Sequence, residues 1–154
     1  MAILSQTSEY ALRATTLLAQ HAEASPLHVA ILAEALGIPR NYLSKTLSQL
    51  ARAGVLDSVR GKHGGFRLAR PAAEIPLYDV VEPFERFAET RRCLLGQSVC
   101  NDSQPCAAHE TWKAIGERIV HFFRRTTLAD LARSRTRWPN QTAVTRALAD
   151  RMRV

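Results

Sequence analysis

Three cysteines lie close together in the second half of the 154-residue chain, and the sequence contains no others. Cys93, Cys100 and Cys106 are separated by six and five residues, and they stand among Arg, Gly, Gln, Asn, Asp and Pro. Structural cysteines favour apolar positions of helices and strands, so this polar setting indicates thiols that bind a metal. Thiolates are good ligands for zinc and for iron–sulfur clusters, and a turn-rich loop can direct all three inward.

The fourth ligand of such a site has several candidates. His109 follows Cys106 by three positions, and Glu9 stands in the first predicted helix. A group from a second subunit, an exogenous thiol and water are further candidates. Ligand count does not separate zinc from an iron–sulfur cluster, although the absence of paired C-x-x-C motifs weakens the case for zinc. Three thiolates with a weaker fourth ligand suit a sensor, because oxidants, nitric oxide or iron shortage can dismantle such a site.

The elements before the cysteines predict a helix-turn-helix. Residue spacing predicts helices over 5–22, 29–36 and 39–53, with a tight Gly-Ile-Pro turn between the second and the third. The third helix has an apolar stripe on one side. Its opposite face carries no acid and consists of Asn41, Ser44, Lys45, Ser48, Gln49 and Arg52. Such a face on the second helix of a helix-turn-helix is typical of DNA recognition.

A basic hairpin follows the third helix. Residues 55–60 and 66–70 predict two short strands, and three glycines between them allow a turn with positive φ. Residues 60–70 contain four basic side chains and no acid: Arg60, Lys62, Arg67 and Arg70. A glycine-rich basic hairpin at this position predicts the wing of a winged helix.

The second half of the chain predicts a dimer. Residues 71–76 indicate a linker, 77–87 a helix, 90–106 a loop and 107–132 a long helix with a large apolar stripe, formed by Trp112, Ile115, Ile119, Phe122 and Phe123. One winged helix is too small to cover this stripe, so we expect a long helix of a second subunit to cover it. Residues 133–154 carry six arginines and one acid and indicate a mobile tail. The predicted organisation is a DNA-binding unit over 1–75, a connecting helix and cysteine loop over 76–106, a dimerisation helix over 107–132 and a flexible tail over 133–154.

Composition narrows the functional class. The net charge is +7, and basic segments at both ends surround an acidic middle, which indicates a nucleic-acid partner. No apolar run approaches a bilayer span and no signal peptide is evident, so we expect a cytoplasmic protein without a membrane partner. A thiol oxidoreductase would need closely spaced cysteines and a hydrolase would need a nucleophile, a base and an acid. Neither pattern occurs, so we expect no enzyme.

Over residues 1–132 the chain resembles the Rrf2 family of bacterial transcription regulators. The resemblance rests on the cysteine triplet before a long helix and on three segments, at 9–13 (EYALR), 60–68 (RGKHGGFRL) and 127–131 (TLADL). It implies a dimeric winged helix with paired long helices and a [2Fe-2S] or [4Fe-4S] cluster near the dimer interface. The iron–sulfur biogenesis branch uses three Cys and a His where His109 stands, and the nitric-oxide-responsive branch uses three Cys and an Asp near the position of Glu9. Iron-responsive repressors of the family are a third possibility.

We therefore expect a homodimeric, sequence-specific DNA-binding regulator, a repressor rather than an activator, whose affinity is set by an iron–sulfur cluster. The third helix would enter the major groove, where Asn41, Tyr42, Lys45 and Gln49 would contact base edges or nearby phosphates and Arg40 would contact phosphate. The wing would follow the backbone or enter the minor groove through Arg60, Lys62 and His63. The alternatives are a zinc- or thiol-based DNA-binding regulator without a cluster, and a metal-stabilised structural or interaction protein, which would not need the basic wing.

Overall fold

The computed structural model describes residues 4–61, 64–85, 93–96, 102–134, 136–140 and 142–151. Most of these residues are helical, and one two-stranded antiparallel sheet accompanies the helices. The helices are α1 (Gln6–Gln20), α2 (Val29–Leu36), α3 (Arg40–Arg52), α4 (Leu77–Glu85), α5 (His109–Arg125), α6 (Leu128–Ala132) and α7 (Thr142–Arg151). The strands are β1 (Leu56–Val59) and β2 (Gly65–Leu68).

Two of the first three helices, α2 and α3, form the predicted helix-turn-helix, and α1 packs against them. α1 begins at Ser5, whose side chain accepts a hydrogen bond from the Ser8 amide at 3.3 Å. α2 ends at Gly37, where φ is +64°, a left-handed conformation that glycine adopts without a steric penalty. α3 packs against the core through a stripe spaced by four and three residues, and all three of its side chains are fully buried: Leu43, Leu47 and Leu50.

The predicted wing is also confirmed. β1 and β2 pair in register from Leu56 with Leu68 to Val59 with Gly65. Leu27 forms an isolated antiparallel bridge with Phe66 of β2. The Leu27 amide donates to the Phe66 carbonyl at 3.0 Å, and the Leu27 carbonyl accepts from the Phe66 amide at 2.9 Å. A Cβ at Gly65 would lie 2.2 Å from the Leu27 carbonyl oxygen, so only glycine permits this close approach.

The boundary predicted at residues 75–76 does not separate two cores. Ile75 is fully buried, and α1 packs against both α4 and α6 as well as α3. The single core therefore includes side chains from both sides of that boundary, among them Leu77, Val80 and Leu128. α4 agrees with the predicted helix over 77–87 as far as Glu85, and Phe87 lies outside the described residues.

The structure corrects the prediction of one continuous helix over 107–132. α5 ends at Arg125, Thr126 is extended, and Thr127 starts α6 with a capping box in which Thr127 and Asp130 bond to each other's backbone amides. The reason is tertiary. The Thr126 carbonyl accepts a bond from the Leu77 amide, and the Leu128 amide donates to the Ile75 carbonyl, both at 2.9 Å. These two bonds draw the chain back onto the core, where Leu128 is fully buried.

The structure also corrects the prediction of a mobile tail over 133–154. Residues 142–151 form α7, which packs against α2 and buries Ala143 and Val144. Trp138 donates its indole N–H to the Gln20 side-chain oxygen at 2.8 Å. The segment therefore has a defined docking site on the helix-turn-helix.

Candidate nucleic-acid interface and cysteine site

The outer face of α3 is the candidate DNA-reading surface. Arg40, Asn41, Lys45 and Gln49 are all exposed, as the sequence analysis expects of residues that contact DNA. A shallow depression in this face contains no acid and is lined by Ser44, Lys45, Ser48, Gln49 and Arg52. Hydroxyl, amide and cationic groups of this kind bond to base edges and phosphates.

Tyr42 differs from the other candidates on α3. Its hydroxyl is hydrogen-bonded to the Thr7 hydroxyl at 2.9 Å, and its ring contacts the Tyr10 ring edge-on at a centroid distance of 5.6 Å. The side chain is nevertheless 43% exposed. Tyr42 therefore anchors α3 to α1 and still presents part of its ring at the surface.

The wing contributes fewer unpaired charges than its composition indicates. Arg67 forms an ion pair with Asp57 at 3.1 Å on the neighbouring strand, and Arg70 pairs with Asp79 at 2.7 Å. Arg60 is exposed at the end of β1. Lys62 and His63, the other two predicted wing contacts, lie outside the described residues.

Of the three predicted cysteine ligands, the structure describes the first and the last, Cys93 and Cys106. Cys93 and Cys106 are half-buried, and neither is in a disulfide. The Cys93 carbonyl accepts a hydrogen bond from the Gly96 amide at 2.9 Å, and the Cys106 carbonyl accepts one from the His109 amide at 3.0 Å. Cys100 lies outside the described residues.

His109 is the buried member of this region. It is only 3% exposed, begins α5 and is one helical turn beyond Cys106. Its Nε2 lies 2.8 Å from Oδ1 of Asp102, and the same oxygen accepts a bond from Lys113 Nζ at 2.9 Å. The hydrogen bond from His109, followed by the bond and charge of Lys113, lowers the pKa of Asp102 to about 2. Nothing in the spacing of Asp102 and Lys113 marks them in the sequence.

The donor types of this region fit a sulfur-ligated cluster, because two thiols outside any disulfide, those of Cys93 and Cys106, accompany the imidazole of His109, one turn after Cys106. Among the described residues, the thiols of Cys93 and Cys106 do not belong to the group of potential metal donors that contains His109. Within the described part of the chain, one group of three potential donors lies within 4.8 Å, and it consists of Asp102, His109 and Glu110. Glu9, the alternative fourth ligand, is exposed in the first turn of α1.

α5 extends from this region with an exposed apolar stripe. Trp112, Ile115 and Phe122 are 38%, 44% and 53% exposed. Phe123 is buried and contacts the Phe122 ring edge-on at 5.3 Å. The helix therefore uses one side to reach its own core and leaves the adjacent apolar side uncovered.

Residues 4–134 match the Rrf2 family, described as iron-dependent transcriptional regulators. The chain belongs to the Rrf2 family. IscR, an HTH-type transcriptional regulator of Serratia proteamaculans, is 33% identical over 128 residues, which cover 83% of this chain and 77% of that protein. Residues 135–154 of this Rrf2 protein lie beyond the matched span.

Two solved structures resemble this Rrf2 protein over most of their length. The first is CymR, the global cysteine regulator of B. subtilis, with a TM-score of 0.72 and 26% identity over 86% of this chain and 97% of CymR. The second is T. potens IscR, with a TM-score of 0.68 and 28% identity over 84% of this chain and 85% of IscR. The protein is accordingly a DNA-binding transcriptional regulator with a winged helix, and not an enzyme. None of the helices in the described ranges is long and apolar enough to cross a membrane.

Proposed function

We propose that this protein is a homodimeric, sequence-specific repressor whose affinity for DNA is set by an iron–sulfur cluster, [2Fe-2S] or [4Fe-4S]. The cluster would report iron, oxidant or nitric oxide status. The observation that carries this proposal is the position of His109, which is buried one turn after Cys106 and at the same time begins the helix with the exposed apolar stripe. A change in the cysteine loop at this point acts directly on the helix assigned to dimerisation. The site of action is the cytoplasm, because a bacterial regulator of this kind binds the chromosome.

DNA reading is assigned to the acid-free face of α3. Asn41, Lys45 and Gln49 would contact base edges or nearby phosphates, Tyr42 would add its exposed ring edge, and Arg40 would bind phosphate. In the wing, Arg60 would contact the backbone together with Lys62 and His63. The exposure of Arg40, Asn41, Lys45, Gln49 and Arg60 supports these roles.

The cluster ligands would be Cys93, Cys100 and Cys106, with His109 as the fourth ligand and Glu9 as the alternative. When bound, the cluster supplies a centre that reacts with oxidants and nitric oxide and that requires iron. Asp102 and Lys113 fix the orientation of the imidazole through the bonds described above. The similarity to IscR and to iron-dependent regulators supports an iron-linked signal.

A second candidate is a regulator that uses thiols or zinc without a cluster. One observation favours it: the similarity to CymR is with a protein described as a cysteine regulator. Both candidates share the DNA interface and differ only at the cysteine site.

An anaerobic preparation separates the two candidates. We expect visible absorbance with matching iron and sulfide contents in the wild type, and at least a severalfold loss of both in Cys106→Ala, because one thiolate ligand is removed. Leu95→Ala is the control, since Leu95 is 67% exposed in the same loop and offers no ligand atom. The measurements are the absorption spectrum and chemical analysis of iron, sulfide and zinc.

Two results would contradict the cluster. A colourless protein with stoichiometric zinc would establish the second candidate, and a protein that stays colourless and metal-free after reconstitution would establish thiol chemistry alone. If the cluster is present, DNA affinity should change when it is removed from the wild type and from Leu95→Ala. That change should be absent in Cys106→Ala and in Cys100→Ala.

A further inference from the structure

The C-terminal end of α2 receives two of its hydrogen bonds from a distant part of the chain. The last four carbonyls of a helix lack partners within the helix and need others. Those of Ala33 and Glu34 accept bonds from the amides of Ile38 and Gly37, at 3.0 and 3.3 Å. Asn140 donates its side-chain Nδ2 to the Glu34 carbonyl and its backbone amide to the Ala35 carbonyl, both at 3.0 Å. The Leu36 carbonyl accepts a bond from the Arg13 guanidinium at 2.6 Å, so the capping of α2 is shared between the turn, Arg13 and Asn140.

The segment around Asn140 is held at the same place by four other contacts. The Pro139 ring lies over Gly37, where a Cβ would be 3.9 Å from two of the ring carbons. Trp138 bonds to Gln20 of α1, and Arg146 forms an ion pair with Glu34 of α2. Val144 is fully buried. These contacts place residues 136–140 and α7 against the turn of the helix-turn-helix.

This turn determines how α3 is presented. Gly37 ends α2 and Arg40 begins α3, so the residues between them set the angle between the two helices. Fixing a binding element in its bound conformation raises affinity, because less order must be created on binding. The contacts from the C-terminal segment restrain the turn that precedes α3. We therefore expect α3 to bind its operator more tightly with these contacts than with the support of the core alone.

We propose that residues 136–140 and α7 form a brace that positions α3 for sequence-specific DNA binding, with Asn140 as the positioning residue. This proposal rests on the proposed DNA-reading role of α3. It concerns a segment outside the family match at residues 4–134, so it assigns a role to a part of the chain that family membership does not explain. The brace acts through the turn and needs no contact of its own with DNA.

The test compares two variants of α7 in the full chain that add the same charge. Val144→Asp places a carboxylate at the fully buried docking position, whereas Thr145→Asp places one on the exposed side of the same helix. Affinity is measured for an operator duplex selected from random DNA with the wild-type protein, and for a random-sequence duplex. Amide hydrogen exchange is measured over residues 34–42, and thermal unfolding reports whether each variant is folded.

We expect Val144→Asp to bind the operator roughly tenfold or more weakly than Thr145→Asp, because α7 undocks and the competent turn is less populated. The two variants should bind random DNA equally, and the turn amides should exchange faster in Val144→Asp alone. Equal operator affinity of the two variants would overturn the proposal. A parallel loss of operator and random DNA binding, with unchanged exchange in the turn, would overturn it in favour of a direct backbone contact.

Asn140→Ala is the second variant, and it decides the question if Val144→Asp does not fold. It removes the bond to the Glu34 carbonyl and leaves the backbone bond to Ala35 in place. We expect a roughly three- to tenfold loss of operator affinity with random DNA binding unchanged, and an unchanged operator affinity would overturn the proposal. A wild-type protein that selects no sequence would contradict the proposed function instead. In that case the amide hydrogen exchange of residues 34–42 would still test the brace, because the brace requires faster exchange in Val144→Asp than in Thr145→Asp.

Discussion

Tyr10 and Arg13, two residues of the EYALR segment of α1, connect that helix to both helices of the helix-turn-helix. Tyr10 contacts Tyr42 of α3 edge-on, and the Arg13 guanidinium lies over the Tyr10 ring at 5.8 Å. Arg13 also donates to the Leu36 carbonyl at the end of α2, at 2.6 Å. The pair therefore supports α3 on the side opposite to the face that we propose contacts DNA.

Substitutions at two residues should distinguish base recognition from binding to the DNA phosphate backbone. We expect Gln49→Ala to reduce operator affinity and to relax base preference at one position, by about 1–3 kcal/mol, because an amide can bond to a base edge. Arg60→Ala should weaken binding to all sequences alike and lower the slope of log affinity against log salt by about one, because one phosphate contact is lost. The measurement is a salt titration with operator and random duplexes.

Glu23→Ala is a control for these two variants, because this residue is exposed in the short turn after α1. Wild-type affinity and salt slope in both Gln49→Ala and Arg60→Ala would show that the DNA interface has been assigned to the wrong face.

At the scale of elements, the junction between α5 and α6 decides how the long helix joins the core. A helix that continued through Thr126 and Thr127 would lose the backbone bonds of this junction to Ile75 and Leu77. The capping box of Thr127 and Asp130 stabilises the restart of the helix and holds the pKa of Asp130 below its usual value, through hydrogen bonds from the Thr127 amide and hydroxyl. α5, the helix that we propose forms the dimer, is in this way tied to the core that carries α3.

Removal of the cap should therefore destabilise the protein. We expect Thr127→Ala to lower the free energy of unfolding by about 1 kcal/mol, the usual effect of losing an N-cap hydroxyl. The measurement is urea denaturation followed by circular dichroism. Thr126→Ala is the matched control, because the Thr126 bond to Leu77 uses the backbone carbonyl and survives the substitution. Equal stability of the two variants would contradict the assigned role of the capping box.

At the scale of the whole molecule, one side of α5 carries apolar side chains that its own chain does not cover. Trp112, Ile115 and Phe122 expose large apolar side chains on one helix, in line with Ile119. Clustered apolar side chains of this size on a surface mark an interaction site. Helical periodicity continues the stripe over three turns, which suits pairing with the same helix of a second copy.

A charge in this stripe should prevent dimerisation. We expect Ile115→Glu to weaken self-association by at least about 30-fold, because a carboxylate would be buried without a partner in the interface. Ala114→Glu is the matched control, since Ala114 is exposed and points away from the stripe. Sedimentation equilibrium gives the oligomeric state. A monomeric wild type, or a variant that dimerises as tightly as the control, would contradict the proposed homodimer.

Local patterns in the sequence were sufficient for the helix-turn-helix and the wing, whereas the grouping of the cysteines with His109 stays a prediction. The buried stripe of α3, the Gly37 turn and the glycine-rich hairpin all rest on interactions between residues a few positions apart, which periodicity and turn chemistry report directly. The capping box of Thr127 and Asp130 also rests on residues three positions apart, but the prediction of one helix over 107–132 does not take it into account.

The tertiary structure alone decided how α5 ends, which partners hold His109 and where the C-terminal segment lies. Asn140 and Glu34, Arg146 and Glu34, and Trp138 and Gln20 are each more than 100 residues apart, so no local period can report their contacts. α7 buries mainly small side chains, and its composition therefore indicated a solvated tail. A hydrogen bond to a distant backbone carbonyl depends on which groups the fold brings together and leaves without partners, and this is a property of the packed chain rather than of any segment.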